Sequence, residues 1–493
     1  MKTPAFVFDY SETCNNIKQL ASTPAEGIKR IASDADKAAN AYYAGRERPQ
    51  LLWVRRTGVD DRADSLLSIL KGASMDGLSE EAFFVGSITR DLNAMRNLSF
   101  DKQTGSINHL AARLEYMLTL AFFRYAAGQR FGFCNPYKTF NHLDVEKQDS
   151  VRKFTIYRGL YDADTELPTD SFFTELRHWI TEGQTGSRLQ QLQPTDKIYH
   201  TLKEQLHGTT DEELRIKILC NMERRRWRAR QPLNEGEKRI VVNIPAFELY
   251  AYGGDSVTSM KVVCGAVTTK TPQLNSNIEW MEVNPVWVIP KSIVEHDVSR
   301  HAGDESYFER NRYDIFERAT NQQFGIAEVS RAMLLSGKYK VVQRGGAGNS
   351  LGRIVFRFKN KFSVFLHDTS TPSAFLRESR AASHGCVRVS RPFDLSQFVL
   401  EQPEEWLSDR IRIAMGIAPE TDRGKAYVRN HTPEECNKIV GYVPVKPRVP
   451  IYIIYQTMWP DTNGVMTQWP DIYGYDNIIM KQIAPYIDGS KNI

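Results

Sequence analysis

Apolar spacing along the chain changes period near residue 208. Before it, hydrophobic positions recur every three to four residues in the stretches 25–43, 60–70, 79–95, 108–127 and 189–206, the signature of amphipathic helices. Asp60 and Ser79 stand where an N-cap belongs. NHLAARLEYMLTLAFFRYAA, residues 108–127, is the longest such run and is expected to form the spine of a helical scaffold. A further helix over 210–230 leads out of it.

Beyond that helix the apolar period shortens to two. Residues 239–245, 248–252, 261–268 and 279–283 read as short strands broken by Gly and Pro. IVFRFKNKFSVFL, residues 354–366, holds two alternating runs separated by Lys359-Asn360-Lys361, a hairpin pattern that leaves His367 at a strand end. A helix follows over 390–407. This spacing fits a mixed sheet or sandwich rather than alternating βαβ units. Residues 291–340 interrupt it with charged and aromatic side chains, and are expected to be a helical insertion serving as a lid. Residues 449–457 and 459–476 are expected to form a terminal hairpin turning at Gly464.

Composition narrows the classes. The 493 residues carry 25% charged side chains and a net charge of +5. No run approaches the 18 apolar residues of a membrane-spanning helix. Lys and Arg are scattered, which does not argue for nucleic acid, and the run Arg224-Arg225-Arg226-Trp227-Arg228 reads as a solvated or interdomain face. No secretory apolar core follows Met1-Lys2. Six cysteines at irregular spacing argue against a disulfide framework, and Cys264 reads as a core strand position.

The candidate chemistry lies in Leu366-His367-Asp368-Thr369 and Ser383-His384-Gly385-Cys386-Val387-Arg388. Three readings compete for it. A core cysteine would leave His384, Arg388 and Asp368 as costly neighbours. A zinc site of His367, His384 and Cys386 lacks a fourth ligand and any supporting Cys/His cluster. The third reading is a nucleophilic thiol. A thiol titrates near 8.5 and needs a base or a positive charge to become thiolate at neutral pH. His367 precedes Cys386 by 19 residues, a natural spacing for adjacent strands. Asp368 could fix the second ring nitrogen through its carboxylate or its carbonyl. Gly385 lets backbone approach a ligand, making the amides of Gly385 and Cys386 candidate oxyanion donors.

His367, a 15-residue spacer and Ser-His-Gly-Cys-Val-Arg together resemble the signature of the L,D-transpeptidase family, with its YkuD-type catalytic domain. QRGGAGNSLGR, residues 343–353 with Asn349 inside it, resembles the family's glycine-rich approach to the catalytic hairpin. Asn221-Met222-Glu223-Arg224, Trp227, Val242-Asn243-Ile244-Pro245, Thr271-Pro272 and Asn284-Pro285-Val286-Trp287 resemble the long multidomain members of Gram-negative envelopes. Where relatives often carry Tyr two positions before the histidine, this chain has Phe365. Gly345-Gly346 likewise replaces a common Pro-Gly pair.

The resemblance implies an α+β multidomain protein. Its parts would be an N-terminal α-helical scaffold domain (1–207), a mixed β-sandwich catalytic domain (208–420) with a helical capping insertion (291–340), and a C-terminal extension (421–493) packing on the catalytic domain. No counterpart of the small wall-binding module of many relatives is visible between Gly208 and Leu219. The implied reaction is acyl transfer without metal or other cofactor. Cys386 would attack a peptidoglycan tetrapeptide stem, with His367 as base or as the ion-pair partner that holds the sulfur ionised, and Asp368 as its orienter. Ser383, His384, Gly385, Arg388 and Asn349 would form the oxyanion and substrate-binding set. D-alanine would leave and a neighbouring stem would accept, giving a 3–3 cross-link; hydrolysis of the same acyl-enzyme is the alternative, and a non-catalytic wall-binding protein the third possibility. Carbapenems would acylate the thiol, and the resemblance implies the periplasm or cell envelope, reached with a leader since removed.

Overall fold

The computed structural model describes residues 7–23, 28, 31–99, 105–149, 154–230 and 236–487. The chain forms two compact units. One comprises Met1–Arg158, Asp164–Pro232 and Gln456–Ile493; the other comprises Gly159–Ala163 and Leu233–Tyr455.

The first unit is helical. Ile107–Phe131 is its spine, capped by Ser106 and buried on nearly every face. That all-round burial explains why the run is apolar on more than one stripe. Glu115 on this helix accepts the amides of Leu52, Trp53 and Val54 and the hydroxyl of Tyr43, so a buried carboxylate ties down a loop. Asp61–Lys71 starts at the expected cap, Asp60. The start expected at residue 25 lies outside the described residues; the helix seen there runs Asp34–Ala44 behind Ser33. The helix expected over 189–206 is two, Thr185–Gln191 and Lys197–Gly208. Pro194 lies in the gap, and Asp196 caps the second piece.

Two boundaries differ from expectation. Glu212–Arg226 belongs to the helical unit. So does the chain from Gln456 onward, which was expected on the catalytic domain. Polar ties hold it there: Asn221 Nδ2 donates to Thr457 Oγ1 at 2.7 Å, and Arg224 meets Asp476 at 2.5 Å, both ends buried. The expected hairpin of 449–457 with 459–476 does not form, because residues 449–454 belong to the main sheet within Tyr442–Ile454; Gly464 instead lies in the turn that joins Met458–Pro460 to Met466–Gln468.

The second unit is built on β1 (Arg239–Asn243), β2 (Glu248–Gly253), β3 (Ser256–Gly265), β4 (Gln273–Val283), β5 (Ile354–Phe358), β6 (Leu366–His367), β7 (Val387–Val389) and β8 (Tyr442–Ile454). Their order is β5-β6-β7-β3-β2-β1-β8-β4, and β4 pairs again with β5, so the mixed sheet closes on itself. β6–β7 and β1–β8 are parallel pairs; the other pairs of the ring are antiparallel. Register aligns Val443, Met281, Phe356, Leu366 and Val387 across five strands, and all five are buried. Since side chains alternate along a strand, their neighbours face outward. The site lies on that outer face. The helix expected over 390–407 is again two, Pro392–Leu400 and Glu405–Met415.

The insertion contains the expected helical segments, Lys291–His296, Glu305–Arg310 and Arg331–Leu335. It also contains a sheet that the sequence did not suggest, ordered Trp287–Val288, Tyr339–Gln343, Tyr313–Glu317, Gln323–Phe324. Tyr313 and Ile315 enter its small core beside Phe308 and Val341, while Asp314 between them pairs with Arg344 at 2.9 Å.

Candidate active site

Cys386 sits in the turn between the short strand Ala381–Ser383 and β7. The turn requires a glycine at 385, where φ is +113°. Four hydrogen bonds fix it. Ser383 Oγ accepts the Gly385 amide at 3.1 Å and donates to the Cys386 carbonyl at 2.5 Å. Thr271 Oγ1 donates to the Gly385 carbonyl at 2.9 Å, and Thr269 Oγ1 to the Ser383 carbonyl at 2.7 Å. Two expectations change as a result. Ser383 is buried and organises the turn instead of facing a substrate, and the Gly385 amide is already engaged. Among the described residues the amide of Cys386 has no hydrogen-bond partner, which leaves it as the oxyanion donor of the pair.

β6 and β7 run parallel with Leu366 opposite Val387 and His367 opposite Arg388. One step back, Val387 donates to the Phe365 carbonyl at 3.1 Å, which sets Cys386 beside Phe365. Cys386, Phe365, His367 and Arg388 thus share the outer face, with thiol and imidazole as diagonal neighbours across one strand gap. The ring of Phe365 stands edge-on to His367, centroids 5.7 Å apart. The Sγ itself points to the Ser363 carbonyl at 3.9 Å.

Burial sets the protonation states. It pushes the Cys386 thiol up, opposed by the Phe365 amide and by the guanidinium groups of Arg357 and Arg388. Burial, and next the Arg388 charge, push His367 down to about 4. Nδ1 of His367 is buried and makes no hydrogen bond of good geometry, although the Asp368 and Leu351 carbonyls lie close enough to favour a proton on the ring. At neutral pH the pair is therefore a neutral imidazole and a protonated thiol, the arrangement of a general base and not of a preformed ion pair.

The other expected residues separate. The Asp368 carboxylate accepts the Arg353 amide at 2.8 Å, with Gly352 packed against it so closely that a Cβ would come within 2.4 Å. Its carboxylate anchors the glycine-rich loop, and only its carbonyl bears on His367. Asn349 is fully buried: it donates to the Arg344 and Pro285 carbonyls and accepts from Leu351, so it shapes that loop and cannot reach a substrate. His384 is exposed and has no hydrogen-bond partner among the described residues. Arg388 is half-buried, its Nε has no partner, and among the described residues no carboxylate pairs with it. Such a guanidinium suits a ligand carboxylate.

One residue escaped the sequence reading. Arg357 on β5 stacks its guanidinium 4.4 Å from the centre of the Phe365 ring and bridges to Glu282 at 2.8 Å. The alternation Val355-Phe356-Arg357-Phe358 could have placed it opposite the buried phenylalanines. All six cysteines are free; five are buried and Cys386 alone is partly exposed. Among the described residues no group of three or more His, Cys, Asp or Glu could hold a metal, and no helix is long and apolar enough to cross a membrane.

Comparison with known proteins agrees with this layout. Residues 237–451 match the YkuD family, the L,D-transpeptidase catalytic domain, and residues 37–206 match the Scaffold domain family. A Haemophilus influenzae protein named "Putative L,D-transpeptidase" is 25% identical over 316 residues, covering 62% of this chain and 58% of that protein. The chain thus spans under two thirds of that relative's length. The chain thus carries a YkuD-family L,D-transpeptidase catalytic domain and a Scaffold domain in tandem on one polypeptide.

Proposed function

We propose that the protein is a peptidoglycan L,D-transpeptidase acting through a thioester on Cys386. What supports the reading is the strand register that sets Cys386, the one partly exposed thiol of six, on the same sheet face as the buried imidazole of His367 and the guanidinium of Arg388, which no carboxylate pairs among the described residues. His367 takes the thiol proton as Sγ attacks the carbonyl carbon of the third residue in a tetrapeptide stem. The resulting oxyanion is held at the Cys386 amide; losing such a donor costs about 3 kcal/mol. The C–N bond to D-alanine then breaks, and the leaving amine takes the proton back from His367. Arg388 and His384 orient the donor. An amine from the third residue of a neighbouring stem attacks the thioester, giving a 3–3 cross-link and restoring the thiol.

No step calls on a metal or organic cofactor. The reaction would take place in the periplasm or elsewhere in the cell envelope. Carbapenems would acylate the same sulfur through their strained carbonyl. Water in place of the acceptor amine would make the protein an L,D-carboxypeptidase. Incubation with disaccharide-tetrapeptide, followed by mass spectrometry, separates the outcomes. Cross-linked dimer and free D-alanine are expected. Tripeptide alone would assign the carboxypeptidase, and unchanged substrate would refute both.

A further inference from the structure

Beyond the thiol, the outer face of the sheet continues over three more strands as an ordered stripe. Arg357 stands opposite Trp280, and Glu282 stands opposite both Val355 and Tyr442. Read across the sheet, the face runs from Cys386 through Phe365 and Arg357 to Trp280 and Pro444, with Tyr442 at its edge.

The side chains along it are already braced. Trp280 Nε1 donates to Glu282 Oε1 at 3.3 Å, and Glu282 Oε2 accepts from Arg357 Nη2 at 2.8 Å. The rings of Trp280 and Tyr442 lie 6.4 Å apart at 31° to each other, and Tyr442 is 63% exposed. A ring so exposed adds little to a core. Held beside a second aromatic and next to a fixed carboxylate and guanidinium, it offers what a pyranose needs. The flat C–H face of the sugar stacks on the rings while its edge hydroxyls hydrogen-bond to the charged pair.

We infer that this stripe is a saccharide platform that holds the sugar carried by the donor stem while Cys386 attacks the stem's third residue. The inference rests on the reading under Proposed function and assigns the same substrate a second point of attachment. Dimensions agree with it. Three strand steps of ~4.8 Å separate Cys386 from Trp280, about 14 Å. Three extended residues span at most about 11 Å, and the linkage from the stem to the sugar ring supplies the rest. The platform also gives the protein a way to choose stems still attached to glycan.

Two measurements test it. In steady-state kinetics the disaccharide-tetrapeptide is expected to show a KM about fivefold below that of the same tetrapeptide without sugar, the scale of one aromatic stacking contact. Tyr442→Ala and Trp280→Ala should each erase that difference and leave the sugar-free donor unchanged; Trp280→Phe should keep part of it. No preference for sugar in the native protein, or a loss that strikes both donors equally, overturns the platform. The second measurement is calorimetric binding of both donors to Cys386→Ala, with and without Tyr442→Ala, which needs no turnover. Tighter binding of the sugar-bearing donor, lost with Tyr442, supports the platform even if the native protein turns over neither donor. Equal affinities overturn it even if the transpeptidase reading stands.

Discussion

In the helical unit Arg124 closes on Asp36 at 2.6 Å and Arg224 on Asp476 at 2.5 Å, and the lone carboxylate of Glu115 is wrapped by four donors. Around Cys386 the opposite holds. Among the described residues no carboxylate pairs with Arg388, and its Nε and the Nδ1 of His367 are buried without a hydrogen bond of good geometry. Cys134 and Cys264 are pushed up to about 12 by burial; burial pushes the Cys386 thiol up as well, but there an amide and two guanidinium groups oppose it. Buried polar groups left without partners destabilise a fold, so Arg357 Nε, His367 Nδ1 and Arg388 Nε, lying together on the face that carries the partly exposed thiol, mark where a ligand can complete the hydrogen bonding.

The sharpest way to break this contrast is at the sulfur. Cys386→Ala should lower turnover at least 10³-fold, the scale seen when a covalent nucleophile is removed. Cys134→Ala should leave kcat unchanged. Next comes the paired region. Arg124→Ala leaves the Asp36 carboxylate buried and uncompensated, and should cost about 3–5 kcal/mol in chemical denaturation. Arg388→Gln inverts that pattern. It should reduce kcat/KM roughly 10- to 150-fold, equivalent to a lost charged hydrogen bond of about 1.5–3 kcal/mol, while Tm holds or rises. A fall in Tm matching that of Arg124→Ala would mean that Arg388 is structural.

The smallest effect is a pH dependence that is nearly absent. With His367 at about 4, the base is still neutral at pH 5, so the rate of carbapenem acylation should fall less than twofold between pH 7 and 5. An unperturbed histidine would lose most of its activity there. Stability depends on pH more strongly than the rate does. The unfolded histidine binds its proton near 6.5 and the folded one near 4, so as pH falls through that window the folded state loses ground.

Much of this was legible in the sequence, because period and motif are local. The hairpin of β5 and β6, the position of His367 at its end and the glycine before Cys386 all follow from residue type and spacing. What escaped depends on partners distant in the chain. Nothing local tells that the Ser383 hydroxyl would take the Gly385 amide, or that Asp368 would turn to Arg353 and leave the imidazole to carbonyls. Arg357 needed the register of β4, β5 and β6 before its place beside Phe365 had meaning. The strand Tyr313–Glu317 was hidden in a charged, aromatic stretch because only Tyr313 and Ile315 face a core. The return of the chain from Gln456 to the helical unit depends on Asn221 and Arg224, more than 230 residues earlier.

Intact-protein mass spectrometry during donor turnover tests the central claim most directly. After brief reaction with disaccharide-tetrapeptide and acid quench, the protein should gain the mass of the donor minus D-alanine, the adduct should map to the peptide containing Cys386, and Cys386→Ala should gain nothing. An adduct that persists in Cys386→Ala, or turnover with no covalent species at that sulfur under any quench time, would contradict the account.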